Sequence, residues 1–209
     1  MRHPDNSGHV FWLAPQCTTQ TIKPNLLGRE MRSRSEELVA AIGRSMVAWA
    51  HVENCLTHIF RNIGFAEPEH ADKKLSQEHS FRARLRLIDD KLKEHLPKEL
   101  KPDWAILCES ISTLAKKRNQ VAHSTLLNID GKEPGLKPFW LVSISNPTLY
   151  IDDLRSFIEE FRDMGTSLVW FQDEICAQIE GKPSYSYPPK HMLALRQQAL
   201  SKTEEDTVE

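Results

Sequence analysis

The chain has 209 residues, of which 40% are hydrophobic and 27% are charged, and its formal net charge is −2. This composition is typical of a soluble globular protein with one large domain and tails. The near balance of basic and acidic residues argues against a protein that coats nucleic acid by bulk charge, but it is compatible with a local phosphate site. No apolar run approaches the roughly 18 residues of a membrane-spanning helix, and the apolar patch at 10–14 is too short for a secretory leader. We therefore expect a cytoplasmic protein that makes no membrane contact.

Residues 1–32 contain three prolines and no helical repeat of apolar residues, which predicts an extended or partly disordered arm. The predicted folded body spans residues 33–181. Its first helix is expected from Ser35, a candidate N-cap, to Ile63. Apolar residues recur there at spacings of three and four: Ile42, Met46, Trp49, Val52, Leu56, Phe60 and Ile63.

The second predicted helix begins at Ser76 or Ser80 and ends at Leu96, before a proline. The third begins near Pro102, which suits the first turn of a helix, and runs to Ser124. The basic residues of these two helices are interpreted as an ordinary solvated face or, alternatively, as the lining of an RNA-binding surface. The solvated face of the second helix comprises Arg82, Arg84, Arg86, Lys91 and Lys93. The alternative RNA-binding surface comprises Arg82, Arg84, Arg86, Lys116 and Lys117.

Residues 125–149 change in character, because Asp130-Gly131 is a turn signal and several prolines follow it. We expect a small hairpin or extended insert with one strand over 139–144, in which Phe139 and Trp140 either cover the bundle or stack on RNA bases. The fourth helix is predicted to begin at Asp152, a candidate N-cap, and to end at Ile179.

Residues 182–209 are predicted to form a proline-containing, acidic tail with a short helix over 191–202. The predicted fold is therefore all-α: a four-helix, up-and-down bundle with a small hairpin insert between helices three and four.

Metal and cofactor signatures are absent from the sequence. The four cysteines form no C-x-x-C pair, which favours reduced thiols over zinc ligation. His51 and His58 lie two helical turns apart, too far to share one ion. The glycine-rich phosphate-binding loops of common nucleotide enzymes do not occur either. We predict neither a metal nor a cofactor.

Two charged residues occupy positions where a helix should be apolar. On an ideal helix, Glu53 falls about 20° from the apolar line of the first helix and Arg118 about 40° from that of the third. An unpaired buried charge costs several kcal/mol, so we predict that these two side chains approach each other. In one interpretation the pair only fixes the register of the two helices. In the other, Arg118 faces a cleft or a partner subunit and holds an anion, and Glu53 orients the Arg118 side chain.

The residues after Arg118 add chemistry to this pair. Asn119 and His123 are four apart and share a helix face, while Arg118 reaches the same place only by its length or across a dimer axis. Arginine supplies a fork for phosphate, asparagine a neutral hydrogen-bonding group and histidine a proton carrier. Together these groups suit phosphoester cleavage without a metal.

The run Arg118-Asn119-Gln120-Val121-Ala122-His123 resembles the R-x(4–6)-H motif of the HEPN superfamily (higher eukaryotes and prokaryotes nucleotide-binding). Trp49-Ala50-His51-Val52-Glu53 in the first helix is also similar, and the resemblance covers residues 33–181. It implies a helical bundle that dimerises with the two motifs facing each other. Many members are metal-independent endoribonucleases, often toxins or anti-phage effectors, and others bind nucleotides or have lost activity.

The resemblance also implies a role for each residue. Arg118 would stabilise the charged phosphorane, and His123 would act as general acid or base while a ribose 2′-OH attacks phosphorus. Asn119 would orient His123 or the phosphate, and Glu53 would support the site. The expected products are a 2′,3′-cyclic phosphate and a 5′-OH.

Three functions follow from these observations. The first is a HEPN-like, metal-independent endoribonuclease, with RNA bound also by Lys116 and Lys117. Its expected partners are RNA, a second copy of the chain and an antitoxin or regulatory protein. The second is a catalytically inactive HEPN-like module that binds a nucleotide, a nucleic acid or a protein. The third is an unrelated helical interaction protein in which Glu53 and Arg118 merely pair in the core.

Overall fold

A computed structural model describes residues 26–63, 68–129, 133–138, 148–183 and 186–205. Most of this part of the chain is helical, which confirms the all-α class. The helices are α1 (Leu26–Asn62), α2 (Pro68–Gln77), α3 (Phe81–His95), α4 (Lys101–Ala122), α5 (Ile151–Ile179) and α6 (Lys190–Glu205), with a single 3₁₀ turn at Lys98–Leu100. Strands β1 (Ser124–Ile129) and β2 (Glu133–Pro138) separate α4 from α5.

Helix α1 begins at Leu26, nine residues before the predicted start at Ser35. Ser35 lies inside the helix, where its hydroxyl donates to the carbonyl oxygen of Met31 at 3.0 Å instead of capping an end. The expected extended arm over 1–32 is therefore wrong for residues 26–32, and residues 1–25 lie outside the described part. Helix α1 packs mainly against α5, and Leu38 and Ala41 are buried.

Helix α2 was not predicted, because its ten residues contain few apolar side chains. Ala71 and Leu75 are nevertheless buried in the core. A bidentate contact joins the helix to the end of α1, with Arg61 Nε and Nη2 each 2.6 Å from the carboxylate of Asp72. The hydrogen bond from Arg61 lowers the pKa of the Asp72 carboxyl group. Tertiary contacts, and not local periodicity, stabilise this helix.

The second predicted helix corresponds to α3, and of its two expected starts Ser80 agrees with the structure whereas Ser76 does not. The third corresponds to α4 within two residues at each end. Ser80 caps α3 by accepting a hydrogen bond from the Ala83 N–H at 3.1 Å, and Pro102 occupies the first turn of α4. The indole N–H of Trp104 donates to Asp89 at 2.9 Å and joins the two helices. This pairing positions the two elements that carry the site.

The insert is an antiparallel hairpin in which Ser124 lies opposite Pro138 and Ile129 opposite Glu133. The hairpin itself agrees with the prediction, and this register puts the Asp130-Gly131 turn signal between the strands. The strand expected over 139–144 stays a prediction. That segment, with Phe139 and Trp140, lies outside the described residues.

Helix α5 begins after Tyr150, whose N–H donates to the carboxylate of Asp153 at 2.8 Å, so Asp152 is not the N-cap. It packs mainly against α1 and contributes Phe161 and Phe171 to the core. Helix α6 includes the predicted helical segment and packs against α4 and α5, with Met192 fully buried. A large part of the expected tail therefore belongs to the folded unit. None of the described helices is long and apolar enough to cross a membrane.

Candidate anion-binding site

Glu53 lies at the centre of a small polar network between α1, α3 and α4. Its Oε1 accepts a hydrogen bond from the indole N–H of Trp49 at 2.6 Å and lies 3.4 Å from Nη2 of Arg118. Its Oε2 lies 3.5 Å from Nη1 of Arg84. The predicted approach of Glu53 and Arg118 is therefore confirmed, and Arg84 is a second partner.

The position of Arg84 contains a signal that the sequence interpretation missed. It follows Phe81 by three residues and precedes Ile88 by four, so it falls within the apolar face of α3. The reasoning that selected Glu53 and Arg118 also applies to Arg84. The sequence interpretation instead assigns Arg84 to the same surface as the other basic residues of this helix.

One carboxylate between two guanidinium groups leaves positive charge and hydrogen-bond donors in excess. The Nε atoms of Arg84 and Arg118 are buried and have no hydrogen-bond partner. A buried donor without a partner costs about 1–3 kcal/mol. Arg118 makes one further contact, from Nη1 to the side-chain oxygen of Asn119 at 3.0 Å. The enclosed Nε atoms are out of a ligand's reach, but the Arg84 and Arg118 side chains are 36% and 25% exposed, and an anionic ligand can meet these exposed parts.

The excess charge faces a groove of about 720 Å³ between the start of α3 and the second half of α4. None of the described residues that line this groove is acidic. Four of them are cationic: Arg82, Arg84, Lys116 and Arg118. Ser80 and Phe81 bring the N-terminus of α3 to the same place, and a helix N-terminus favours negative charge. We call this feature the cationic groove.

Asn119 lines the cationic groove, whereas His123 does not. His123 is exposed, and its backbone N–H donates to the Asn119 carbonyl at 3.0 Å, so the helical repeat of α4 continues to it. Residues four apart share a helix face, so His123 follows Asn119 one turn beyond the groove. The structure therefore brings Arg118 and Asn119 into the groove and leaves His123 past its end.

The two expected RNA-binding lysines lie in different places. Lys116 lines the cationic groove. Lys117 does not line the groove. Its Nζ is 2.5 Å from Glu160 Oε2 and lies over the Phe157 ring, 5.0 Å from the centroid. Lys117 is thus an ion-pair residue between α4 and α5 and does not belong to the candidate site.

The described residues offer neither a metal-binding cluster nor a reactive thiol. Within the described ranges, no cluster of three or more histidine, cysteine or acidic side chains could hold a metal ion. Burial raises the pKa of the Cys108 thiol to about 11 and also raises the pKa of Cys55. These thiols are therefore protonated at neutral pH and are poor nucleophiles.

Comparison of the chain with models of known protein families, with characterised proteins and with solved structures gave no significant match. The residues of the cationic groove are therefore the basis of the functional proposal.

Proposed function

We propose that this protein is a HEPN-like, metal-independent endoribonuclease whose cationic groove binds the phosphate backbone of RNA. The observation that carries the proposal is the arrangement around Glu53. This carboxylate contacts the motif residue Arg118 and also Arg84 at the edge of a groove without an acidic lining residue. Guanidinium groups match phosphate oxygens by paired hydrogen bonds.

In this proposal the RNA strand binds along the exposed face of α4. Lys116, Asn119 and His123 lie along that face, and seven residues of helix span about 10 Å. A phosphate held by the two arginines would therefore have its neighbouring ribose toward His123. Donors fixed before the reaction stabilise the extra negative charge of the phosphorane without reorganising.

The reaction has a simple balance of atoms. The ribose 2′-oxygen loses its proton and bonds to phosphorus, while the bond from phosphorus to the 5′-oxygen breaks and that oxygen gains a proton. The products are a 2′,3′-cyclic phosphate and a 5′-OH. His123 carries one of the two proton transfers. We propose that a second copy of the chain brings its own motif to the same RNA and provides the other.

An RNA cleavage assay in excess EDTA tests the proposal. Wild-type protein should cleave single-stranded RNA to 2′,3′-cyclic phosphate ends. Arg118→Ala and His123→Ala should each lower the rate about 100-fold or more, since loss of one such charge-stabilising or proton-transferring group costs 10²–10³. Arg86→Ala is the matched control, because Arg86 is an exposed arginine of α3 that does not line the groove.

The second candidate function is a catalytically inactive HEPN-like module that binds RNA or a nucleotide. The position of His123 favours it, because the groove is formed within one chain while the histidine lies beyond its end. Tight RNA binding without cleavage, at equal strength in wild type and His123→Ala, would select this candidate and reject the nuclease.

A toxin or defence role with a neutralising protein partner extends the nuclease proposal. Expression of the wild-type chain should then inhibit growth, and His123→Ala should remove the inhibition. Equal growth with both proteins would contradict this role.

A further inference from the structure

The cationic groove has an apolar wall as well as charge. Phe81, Leu85 and Ala115 line it together with the basic residues. A surface that bound only phosphates would not need an apolar wall. From this combination we infer that the groove takes an unpaired nucleotide of single-stranded RNA, with the base against Phe81 and the phosphate on Arg84 and Arg118. This inference rests on the proposed function and names its substrate class.

The Phe81 ring is prepared for such a contact. Phe81 is the first residue of α3 and is only partly buried, so part of the ring stays accessible in the groove. The ring of Trp49 meets it edge to face, with centroids 4.9 Å apart and an interplanar angle of 66°. Such aromatic pairs have a preferred geometry, so Trp49 restricts the motion of the Phe81 ring.

The same tryptophan links the aromatic and cationic parts of the site. Its indole N–H is bonded to Glu53, which in turn contacts Arg84 and Arg118. The ring and the two guanidinium groups are therefore held relative to each other before a ligand arrives. Pre-positioned contacts reduce the ordering cost of binding.

The size of the groove favours one nucleotide over a duplex. Its volume of about 720 Å³ lies within the range of small-molecule sites, which is about 300–1,000 Å³. In a duplex the base faces are stacked on their neighbours and cannot reach an aromatic side chain. Unpaired bases can be splayed out and stacked, and every base has a π-face.

Binding of a 2′-O-methyl oligonucleotide, which lacks the attacking hydroxyl and is not cleaved, tests the inference. Fluorescence anisotropy with the full chain would compare the single strand with the same strand annealed to its complement. Inorganic polyphosphate as a competitor reports the charge contribution alone. We expect the single strand to bind at least about tenfold more tightly than the duplex.

Substitutions at Phe81 then separate stacking from charge. Phe81→Leu should weaken single-strand binding about tenfold and leave polyphosphate competition unchanged, whereas Phe81→Trp should retain single-strand binding. Tyr187→Leu is the control, because Tyr187 is an aromatic residue that is 94% exposed and outside the groove. Thermal unfolding of each variant shows whether the contact with Trp49 still supports the fold.

The outcomes of this experiment are distinct. Equal binding of duplex and single strand, or equal affinity of the leucine, tryptophan and wild-type proteins for the single strand, would overturn the inference while leaving phosphate binding intact. Failure of the wild type to bind any of the three probes would overturn the proposed function and the inference with it. Weaker single-strand binding by Phe81→Leu, with wild-type binding by Phe81→Trp and Tyr187→Leu, supports both the inference and the proposed RNA binding.

Discussion

Helix α4 makes an arginine–carboxylate contact near each of its ends, and the two contacts differ in stoichiometry. Near its start, Asp103 accepts from Nε and Nη2 of Arg196 at 2.8 and 2.6 Å, one carboxylate to one guanidinium. Near its end, Glu53 lies between Arg84 and Arg118 at 3.5 and 3.4 Å. The first contact is a bidentate pair with balanced charge. The second leaves one positive charge and two buried Nε donors without a partner.

This difference distinguishes a structural ion pair from the network at the proposed binding site. The Asp103 carboxylate raises the pKa of Arg196, whose guanidinium also lies over the ring of Trp170 at 5.5 Å from the centroid. These contacts fix α6 against α4 and α5. The Glu53 network borders the cationic groove, where an anionic ligand could use the remaining donors. The same residue types thus stabilise the fold in one place and suit recognition in the other.

The largest expected effect on stability comes from breaking the Asp103–Arg196 contact. Asp103→Asn should lower the free energy of unfolding by about 2 kcal/mol. The lost partner leaves Arg196 without its bidentate acceptor, and the partial exposure of Arg196, 38% for the side chain, moderates the cost. Urea unfolding would measure the change.

Glu109→Gln is the control on the same helix, because the Glu109–Lys202 pair is exposed, and it should change stability by less than about 0.5 kcal/mol. A similar loss in both variants would contradict the structural role of Asp103.

Removing an arginine from the network around Glu53 should weaken RNA binding. Arg84→Ala should weaken single-stranded RNA binding about tenfold, because a hydrogen-bonded charge pair contributes about 1.5–3 kcal/mol. It should also reduce the salt dependence of binding by about 0.7 in the log–log slope. Arg86→Ala, two residues away, should leave both quantities unchanged. Equal losses in the two variants would mean that the groove is not the binding surface.

Neutralising Glu53 sharpens the comparison with Asp103. Glu53→Gln should cost about 1 kcal/mol of unfolding free energy, about half of the Asp103→Asn effect. The amide oxygen of glutamine can still accept from Trp49, and the two ion pairs that are lost are long and partly exposed. Glu53→Ala should cost more than Glu53→Gln, because it removes the acceptor of the buried indole N–H. A cost for Glu53→Gln that equals or exceeds that of Asp103→Asn in parallel urea titrations would show that the groove network is mainly structural.

The smallest expected effect concerns pH and the docking of α6. Burial lowers the pKa of His191 below its ordinary value of 6.5, although Asp163 and Glu160 partly oppose this, and its Nδ1 lies 3.0 Å from the Ser167 hydroxyl. The unfolded chain therefore binds a proton at a pH where the folded chain does not. The unfolding free energy should decrease as pH falls from 6.5 through the folded-state pKa. His191→Gln should flatten this decrease, and parallel profiles for variant and wild type would contradict the assignment.

The sequence alone predicted the helical class, helix α3 from its Ser80 start, α4 within two residues, α5 within one, and the approach of Glu53 to Arg118. These features follow from local rules: helical periodicity, capping residues and the cost of an unpaired charge within an apolar face. The nuclease function and the roles of Asn119 and His123 stay predictions.

Only the tertiary structure decided the composition of the groove and the place of α6. Arg84 and Phe81 join Arg118 because α3 packs beside α4, and Lys117 leaves the site because its face of α4 meets α5 at Glu160. The helix after residue 182 becomes part of the core through Met192 and the Asp103–Arg196 pair. Periodicity tells which face of each helix is apolar, but the neighbour that covers that face is a long-range choice, set by packing between elements distant in sequence.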